Sequence, residues 1–367
     1  MRARGGHERR PLTSDDVTFD ARFQRAALYT AGGISALATT SAAGLVALMY
    51  AETRLARRRI PKASEPPPDS HDTIWAAAGV SPQRPPIRVA ILGDSTAAGY
   101  GATRDRDTPA ARLAIGISEA ARRPVHVTNV AVVGAESPDL SVQLTALGRC
   151  RPELAVIMVG ANDVIERTPP EVAAAFLEDT VRELDALGAE VVVCTCPDLG
   201  TIRPLPQPLR AYARRLSRQM AKAQTVAVVR AGGRTVSLGD LIGPVFTTRL
   251  EMFSADRFHP SAEGYAEAAR AVLPSCLDAL GVRTKTRSAS TFTTQRVKPV
   301  AKAAAQAVTR PGTEVAGAER FGRAENRRGP LAQLRRRLPG RRRTAVMDDR
   351  EAEQAIPVDT PEPLNPA

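Results

Sequence analysis

Histidine, cysteine and aromatic side chains are all scarce in this chain. Among 367 residues there are four His, four Cys and one Trp, and Phe, Tyr and Trp together make up 4%. Four imidazoles leave few candidates for a general base. Few aromatics argue against a surface that stacks nucleic-acid bases. Beyond residue 281, where positive charge is densest, only Phe292 and Phe321 are aromatic, so nucleic acid is not expected as a partner. Surplus charge is also missing from the middle. Residues 84–280 carry 22 Lys or Arg against 22 Asp or Glu, whereas residues 1–83 carry 11 against 8 and residues 281–367 carry 18 against 9. A neutral, Val-, Leu- and Ala-rich middle of this length reads as one globular domain that can bury a full core.

The flanks read differently. Residues 1–25 are polar and of mixed charge, which predicts disorder. Residues 26–51 contain no Asp, Glu, Lys or Arg, and include Leu28, Ile34, Leu37, Leu45, Val46, Leu48 and Met49. At about 1.5 Å per residue such a helix exceeds the roughly 30 Å hydrocarbon core, so a single transmembrane helix is expected there. No small-x-small cleavage site follows before Arg54, which favours an anchor over a signal peptide. Tyr29 and Tyr50 mark its ends. Residues 52–86, with Pro61, Pro66–Pro68, Pro82, Pro85 and Pro86, form a Pro-rich linker, in which 72–78 around Trp75 reads as a short helix. Residues 281–367 read as a basic, disordered tail. Within it, Leu331–Leu338 could be a short basic helix that touches anionic lipid.

Between residues 87 and 280, short apolar runs alternate with helical patterns. Strands are expected at Ile87–Leu92, Val125–Val132, Leu154–Val159, Val191–Thr195 and Val226–Val229. Helices are expected near 109–122, 138–148, 170–187, 209–223 and 261–280. This alternation predicts a three-layer αβα sandwich around a five-stranded parallel sheet, flavodoxin-like in strand order. The Arg210, Arg214, Arg215, Arg218 and Lys222 run falls at helical spacing and reads as a solvated face.

Strand ends carry the chemistry. The first strand ends in Gly93-Asp94-Ser95, where Gly permits a tight turn and Asp, Ser or Thr caps the next helix. A serine hydroxyl at the carboxyl end of a strand, beside a helix N-terminus, sits where open α/β sheets bind ligands. The second strand runs out at Gly134 and the third at Gly160-Ala-Asn162-Asp163. Asp256-Arg-Phe-His259-Pro260 precedes the last helix. His7 and His71 lie outside the domain and His126 lies within a strand, so His259 is the general base by elimination. Asp256, three residues earlier, can reach one imidazole nitrogen and fix the tautomer. Backbone N–H groups of Ser95 and Gly134, with the Asn162 amide, are candidate oxyanion donors. Asp94 and Asp163 read as carboxylates that bond loop backbone.

Together these four stretches resemble the four blocks of the SGNH (GDSL-type) hydrolases, in order and spacing, over about residues 87–280. Thr96 stands where that family's usual motif has Leu. The resemblance implies a serine hydrolase of acyl esters (esterase, lipase or deacetylase) with Ser95, Asp256 and His259 as the triad. It also implies Ser95, Gly134 and Asn162 as the oxyanion hole, with no metal or organic cofactor. There is no G-x-S-x-G, which excludes a standard α/β-hydrolase elbow. An acyltransferase would use the same triad, and a membrane-tethered adaptor is the non-enzymatic alternative. Residues 196–208, rich in proline, read as a wall or lid over the acyl pocket.

Cysteines bear on compartment. Cys150 precedes the third strand, and a last helix running back from His259 would bring Cys276 to the same far edge of the sheet. A Cys150–Cys276 disulfide is therefore expected, which would place the domain outside the cytoplasm on a single-pass membrane protein.

Overall fold

The computed structural model describes residues 66–68, 71–202, 204–238, 249–282, 292–294, 298–309, 313–317 and 331–337, with a few positions between 44 and 54. In chain order the strands are β1 (Asp72–Trp75), β2 (Ile87–Gly93), β3 (Val125–Asn129), β4 (Leu154–Met158), β5 (Glu190–Cys194), β6 (Arg234–Val236), β7 (Phe292–Thr294), β8 (Lys298–Pro299), β9 (Thr313–Gly317) and β10 (Leu331–Arg337). The helices are α1 (Ser95–Ala98), α2 (Pro109–Ala121), α3 (Leu140–Ala146), α4 (Ala161–Glu166), α5 (Pro170–Ala186), α6 (Leu209–Arg230), α7 (Ala262–Ala279) and α8 (Val300–Ala307).

Five strands, in the order β3-β2-β4-β5-β6, pair in parallel, four of them at the expected apolar runs, but they form the middle of a larger, mixed sheet where a five-stranded one was expected. Alternate residues feed two cores. Val89, Ile91, Val127 and Val156 pack with Leu113 and Ile117 of α2 and Val272 and Cys276 of α7. Ala90, Leu92, Ala155 and Ile157 pack on the other face with Leu140 of α3, Leu177 and Leu184 of α5 and Val228 of α6. The strands are buried on both faces, hence their nearly unbroken apolar runs. Strand order reverses at β2, whose neighbours are β3 and β4. Its carboxyl end is thus a switch point, where such sheets open a crevice.

Several expectations are corrected. Val226–Val229 is not a strand. It is the last turn of α6, because Met220, Ala221, Gln224 and Val228 continue one buried helical stripe up to the Gly232-Gly233 stop. The fifth parallel strand is β6, just after that stop. Residues 72–75 form an edge strand antiparallel to β3, with Trp75 opposite Val125, and are not helical. The supposed tail is structured where described. Strand β9 pairs antiparallel with β6, and β10 pairs with β9, β7 and β8. Val300, Ala303 and Ala307 of α8 and Val315 of β9 bury against Val229. Leu331–Arg337 is thus a strand, where a basic helix was expected.

The expected membrane span is likewise corrected. Most of 26–51, like 1–25, lies outside the described residues. Among the described residues no helix is long and apolar enough to cross a membrane. Glu52, at the far end of that segment, is buried, and its Oε2 accepts the Leu209 N–H at 2.9 Å. The single-pass membrane location expected from that span thus finds no support among the described residues.

All four cysteines are free thiols. Helix α7 does run back across the sheet, but on the face opposite Cys150. Cys276 packs in the α2/α7 core, whereas Cys150 lies under α3, its thiol 3.7 Å from Thr128 Oγ1. With the sheet between them no bridge forms, and the extracytoplasmic placement drawn from it has no support.

Two measurements check this architecture. Titration of denatured, unreduced protein should find four thiols, and a lower number would mean a bridge the fold does not contain. Ending the chain at residue 285 should bare Val229 and the edge of β6 and lower the thermal midpoint by about 5 °C or more. An unchanged midpoint would show that β9 and α8 contribute nothing to stability.

Candidate active site

At the end of β2 the backbone of Gly93 has φ 130°, and an added Cβ would lie 1.8 Å from the Met158 carbonyl oxygen. Only glycine lets β2 and β4 stay paired while the chain turns out of the sheet. Gln143 of α3 completes the turn. Its buried amide accepts the Gly93 N–H at 2.7 Å and donates to the Gly93 carbonyl at 2.9 Å. Asp94 then caps α1, its Oδ1 accepting the Thr96 N–H at 2.8 Å. Ser95 is thereby held at the first position of α1, with 8% of its surface exposed.

His259 reaches this serine from the loop before α7. That loop is a small ladder: Ser254 N–H donates to the His259 carbonyl at 2.8 Å and Ser261 N–H to the Met252 carbonyl at 2.8 Å. Ser95 Oγ donates to His259 Nε2 at 2.9 Å, and His259 Nδ1–H donates to Asp256 Oδ2 at 2.6 Å. Asp256 Oδ1 accepts from Ser254 Oγ, the Phe258 N–H and the His259 N–H at 2.7, 2.8 and 2.9 Å. Burial alone would raise this carboxyl, but the bonds from His259, Ser254 and the two backbone N–H groups outweigh it and hold Asp256 well below the usual range. Tyr100 and Phe258 meet the imidazole edge-on, at centroid distances of 4.6 and 4.8 Å.

The other two stretches come to the same edge. Gly134 sits in an exposed loop at φ 89°, and nothing lies within 4 Å of where its Cβ would be. Its backbone conformation, not crowding by protein atoms, is what favours glycine. Asn162, in the first turn of α4, donates through Nδ2 to the Ala135 carbonyl at 2.9 Å, tying the two loops together. Asp163 does the same from beneath, with Oδ1 and Oδ2 accepting the Ser137 N–H and Oδ2 accepting the Ser137 hydroxyl. Both carboxylates named beside the site bond loop groups, as their sequence context suggests. Burial raises Asp163, and raises Asp94 to about 6 despite the Thr96 bonds and the nearby imidazole, which pull it down.

Sequence reasoning missed three supports. Gln143 is one. Gln224 of α6 is its counterpart, accepting the Cys196 N–H at 2.7 Å and donating to the Val159 carbonyl at 2.9 Å, which braces the exits of β4 and β5. Asp198, paired with Arg214 and Arg218, is the third. No local pattern marks a glutamine that serves a strand end dozens of residues away. The arginine run, read as a solvated face, is only partly that.

A cavity of about 50 Å³ opens beside His259, lined by Met158, Leu199, Ile202, Leu238, Phe253 and Phe258 among others. Of the proline-rich 196–208 segment, Pro197, Asp198, Leu199, Thr201 and Ile202 line one side of it. Among the described residues no group of three or more His, Cys, Asp or Glu side chains is placed to hold a metal ion.

The chain is similar to known proteins. The family described as GDSL-like Lipase/Acylhydrolase matches residues 91–267. The GDSL-like esterase Rv1075c of Mycobacterium tuberculosis is 42% identical over 265 residues, covering 69% of this chain and 83% of that protein. Among solved structures, TesA is 21% identical with a TM-score of 0.44, covering 53% of this chain and 99% of its own. Axe2, an acetylxylan esterase from Geobacillus stearothermophilus solved as a mutant, is 18% identical with a TM-score of 0.43, covering 56% of this chain and 100% of its own. By the extent and identity of the mycobacterial match, with the family's own pattern spanning the site just described, the chain belongs to the GDSL-like lipase/acylhydrolase family and is a carboxylic ester hydrolase.

Proposed function

We propose that this chain cleaves acyl esters through a covalent acyl-enzyme on Ser95. The observation that carries the reading is the hydrogen-bonded series from Ser95 Oγ through His259 to Asp256. Asp256 Oδ2 accepts the Nδ1 proton, so the lone pair of His259 Nε2 faces the serine hydroxyl. As Ser95 Oγ attacks the ester carbonyl, its proton passes to Nε2. The oxyanion forms against the Ser95 and Gly134 N–H groups and the second Nδ2 proton of Asn162, whose first is engaged by Ala135. Collapse expels the alcohol, which takes the proton from Nε2. Water then gives a proton to Nε2 as its oxygen bonds the acyl carbon; the bond to Ser95 Oγ breaks, Nε2 returns that proton to Oγ, and the acid is released.

Asp256, held ionised by its four donors, supports the imidazolium in both steps. Ser95→Ala and His259→Ala should each lower kcat for a p-nitrophenyl ester by roughly 10³-fold or more, and Asp256→Asn by a smaller factor. Ser95→Ala should also lose labelling by a fluorophosphonate. Wild-type turnover in folded Ser95→Ala would overturn the mechanism.

Asp94 gives a pH signature. Its carboxyl titrates near 6, so it is charged above that pH and neutral below it. When charged it favours the imidazolium that His259 becomes during turnover. Asp94→Asn keeps the Oδ1 cap on Thr96 but never carries the charge. The ratio of variant to wild-type kcat/KM should therefore stay near one at pH 5 and fall as pH rises through about 6. A ratio independent of pH would show that Asp94 only shapes the turn.

A further inference from the structure

One buried charge beside the site has no part in that chemistry. Asp198 follows β5 and is 2% exposed. Its Oδ2 lies 3.3 Å from Arg214 Nε and 3.2 Å from Arg218 Nη2, both on α6. Its Oδ1 accepts the Gly200 N–H at 2.9 Å. Arg214 Nη2 also donates to the Gly200 carbonyl at 3.1 Å, and Ser217 Oγ accepts the Leu199 N–H at 3.3 Å. An added Cβ on Gly200 would lie 2.5 Å from the Arg214 Cβ, so the loop is pressed directly on α6. Asp198, Leu199, Thr201 and Ile202 are the same residues that wall the cavity beside His259.

We propose that Asp198, pinned by Arg214 and Arg218, holds the 197–202 wall in place and thereby limits the substrate to esters of short acyl chains. The inference rests on the reading of Ser95 as nucleophile. A wall held by apolar packing alone slides aside when a longer chain pushes on it. This wall cannot move without parting a buried carboxylate from two guanidinium groups, and an uncompensated buried charge is strongly disfavoured. The cavity therefore keeps its volume of about 50 Å³. So small and largely apolar a space suits a short acyl chain better than a long one. A longer chain presses on Leu199 and Ile202, which pack against Met220 and Ala221.

The test is the chain-length profile of kcat/KM, with p-nitrophenyl acetate, butyrate and octanoate as probes and the full chain as enzyme. Wild type should favour acetate and butyrate over octanoate by roughly tenfold or more. Asp198→Asn and Arg218→Gln should each raise the octanoate-to-acetate ratio roughly fivefold or more, within what a few methylene contacts are worth. Leu199→Ala keeps the clamp and enlarges the cavity, and should raise the ratio as well. A clamp with a merely structural role would lower all three esters together and leave the ratio fixed. A wild-type preference for octanoate, or an unchanged ratio in folded Arg218→Gln and Leu199→Ala, overturns the inference. With Ser95→Ala inactive in the same assay, that failure leaves the nucleophile standing. If Ser95→Ala retains turnover, both readings fall.

Discussion

At position 93 a β-carbon would fall 1.8 Å from the carbonyl oxygen of Met158, so the chain leaves β2 with its backbone pressed on β4. Ser95 follows two residues later, and its position is inherited from that contact. The Asp94 N–H bonds the same Met158 carbonyl at 2.9 Å, and Gln143 takes both polar groups of Gly93. The next exit repeats the device. Gly160, at φ 124°, lies against Gln224, whose amide joins Val159 to Cys196. Two glycines and two buried glutamines thus set the loops from which the ester chemistry is proposed to work. A side-chain amide suits the task because it offers a donor and an acceptor at once, without a charge to desolvate.

The parallel sheet was legible because its strands are buried on both faces. Val89–Leu92, Leu154–Met158 and Val191–Cys194 have nothing to do but pack, and their composition says so. The motif-bearing residues were legible for a related reason: each lies at a strand exit or a helix entry, where turn chemistry restricts the choice of residue. Ser95, Asn162, Asp256 and His259 are all of this kind. The run Val226–Val229 misled because four apolar residues suit a strand or a buried helical turn equally, and only the longer stripe from Met220 decides.

What stayed hidden depends on distant partners. Residues 313–317 carry no strong strand pattern and become β9 because β6 presents an unpaired edge. Trp75 sits opposite Val125 for the same reason on the other edge. The 26–51 segment reads as an anchor on hydropathy, yet among the described residues no helix is long and apolar enough to cross a membrane. Cys150 and Cys276 lie on opposite faces of the sheet, and linear reasoning about rise per residue carries no information about which face a helix covers. Arg214 and Arg218 are indistinguishable in sequence from their solvated neighbours until Asp198 is seen beneath them.

The pairing of β6 with β9 has a consequence for how the chain is made. Thr235 and Val315, bonded neighbours in the finished sheet, lie 80 residues apart. On a ribosome that adds roughly 5–20 residues per second, every other partner of the parallel sheet exists before β9 emerges. For those seconds the nascent domain shows an open strand edge, the surface on which two growing chains adhere. Natural edges are blunted by brevity and charge. β6 has both, being three residues long and beginning with Arg234, whose guanidinium lies 3.9 Å from Glu190 and 3.5 Å from Glu314. The arginine that finally receives the late strand is also the one that guards its berth on polysomes.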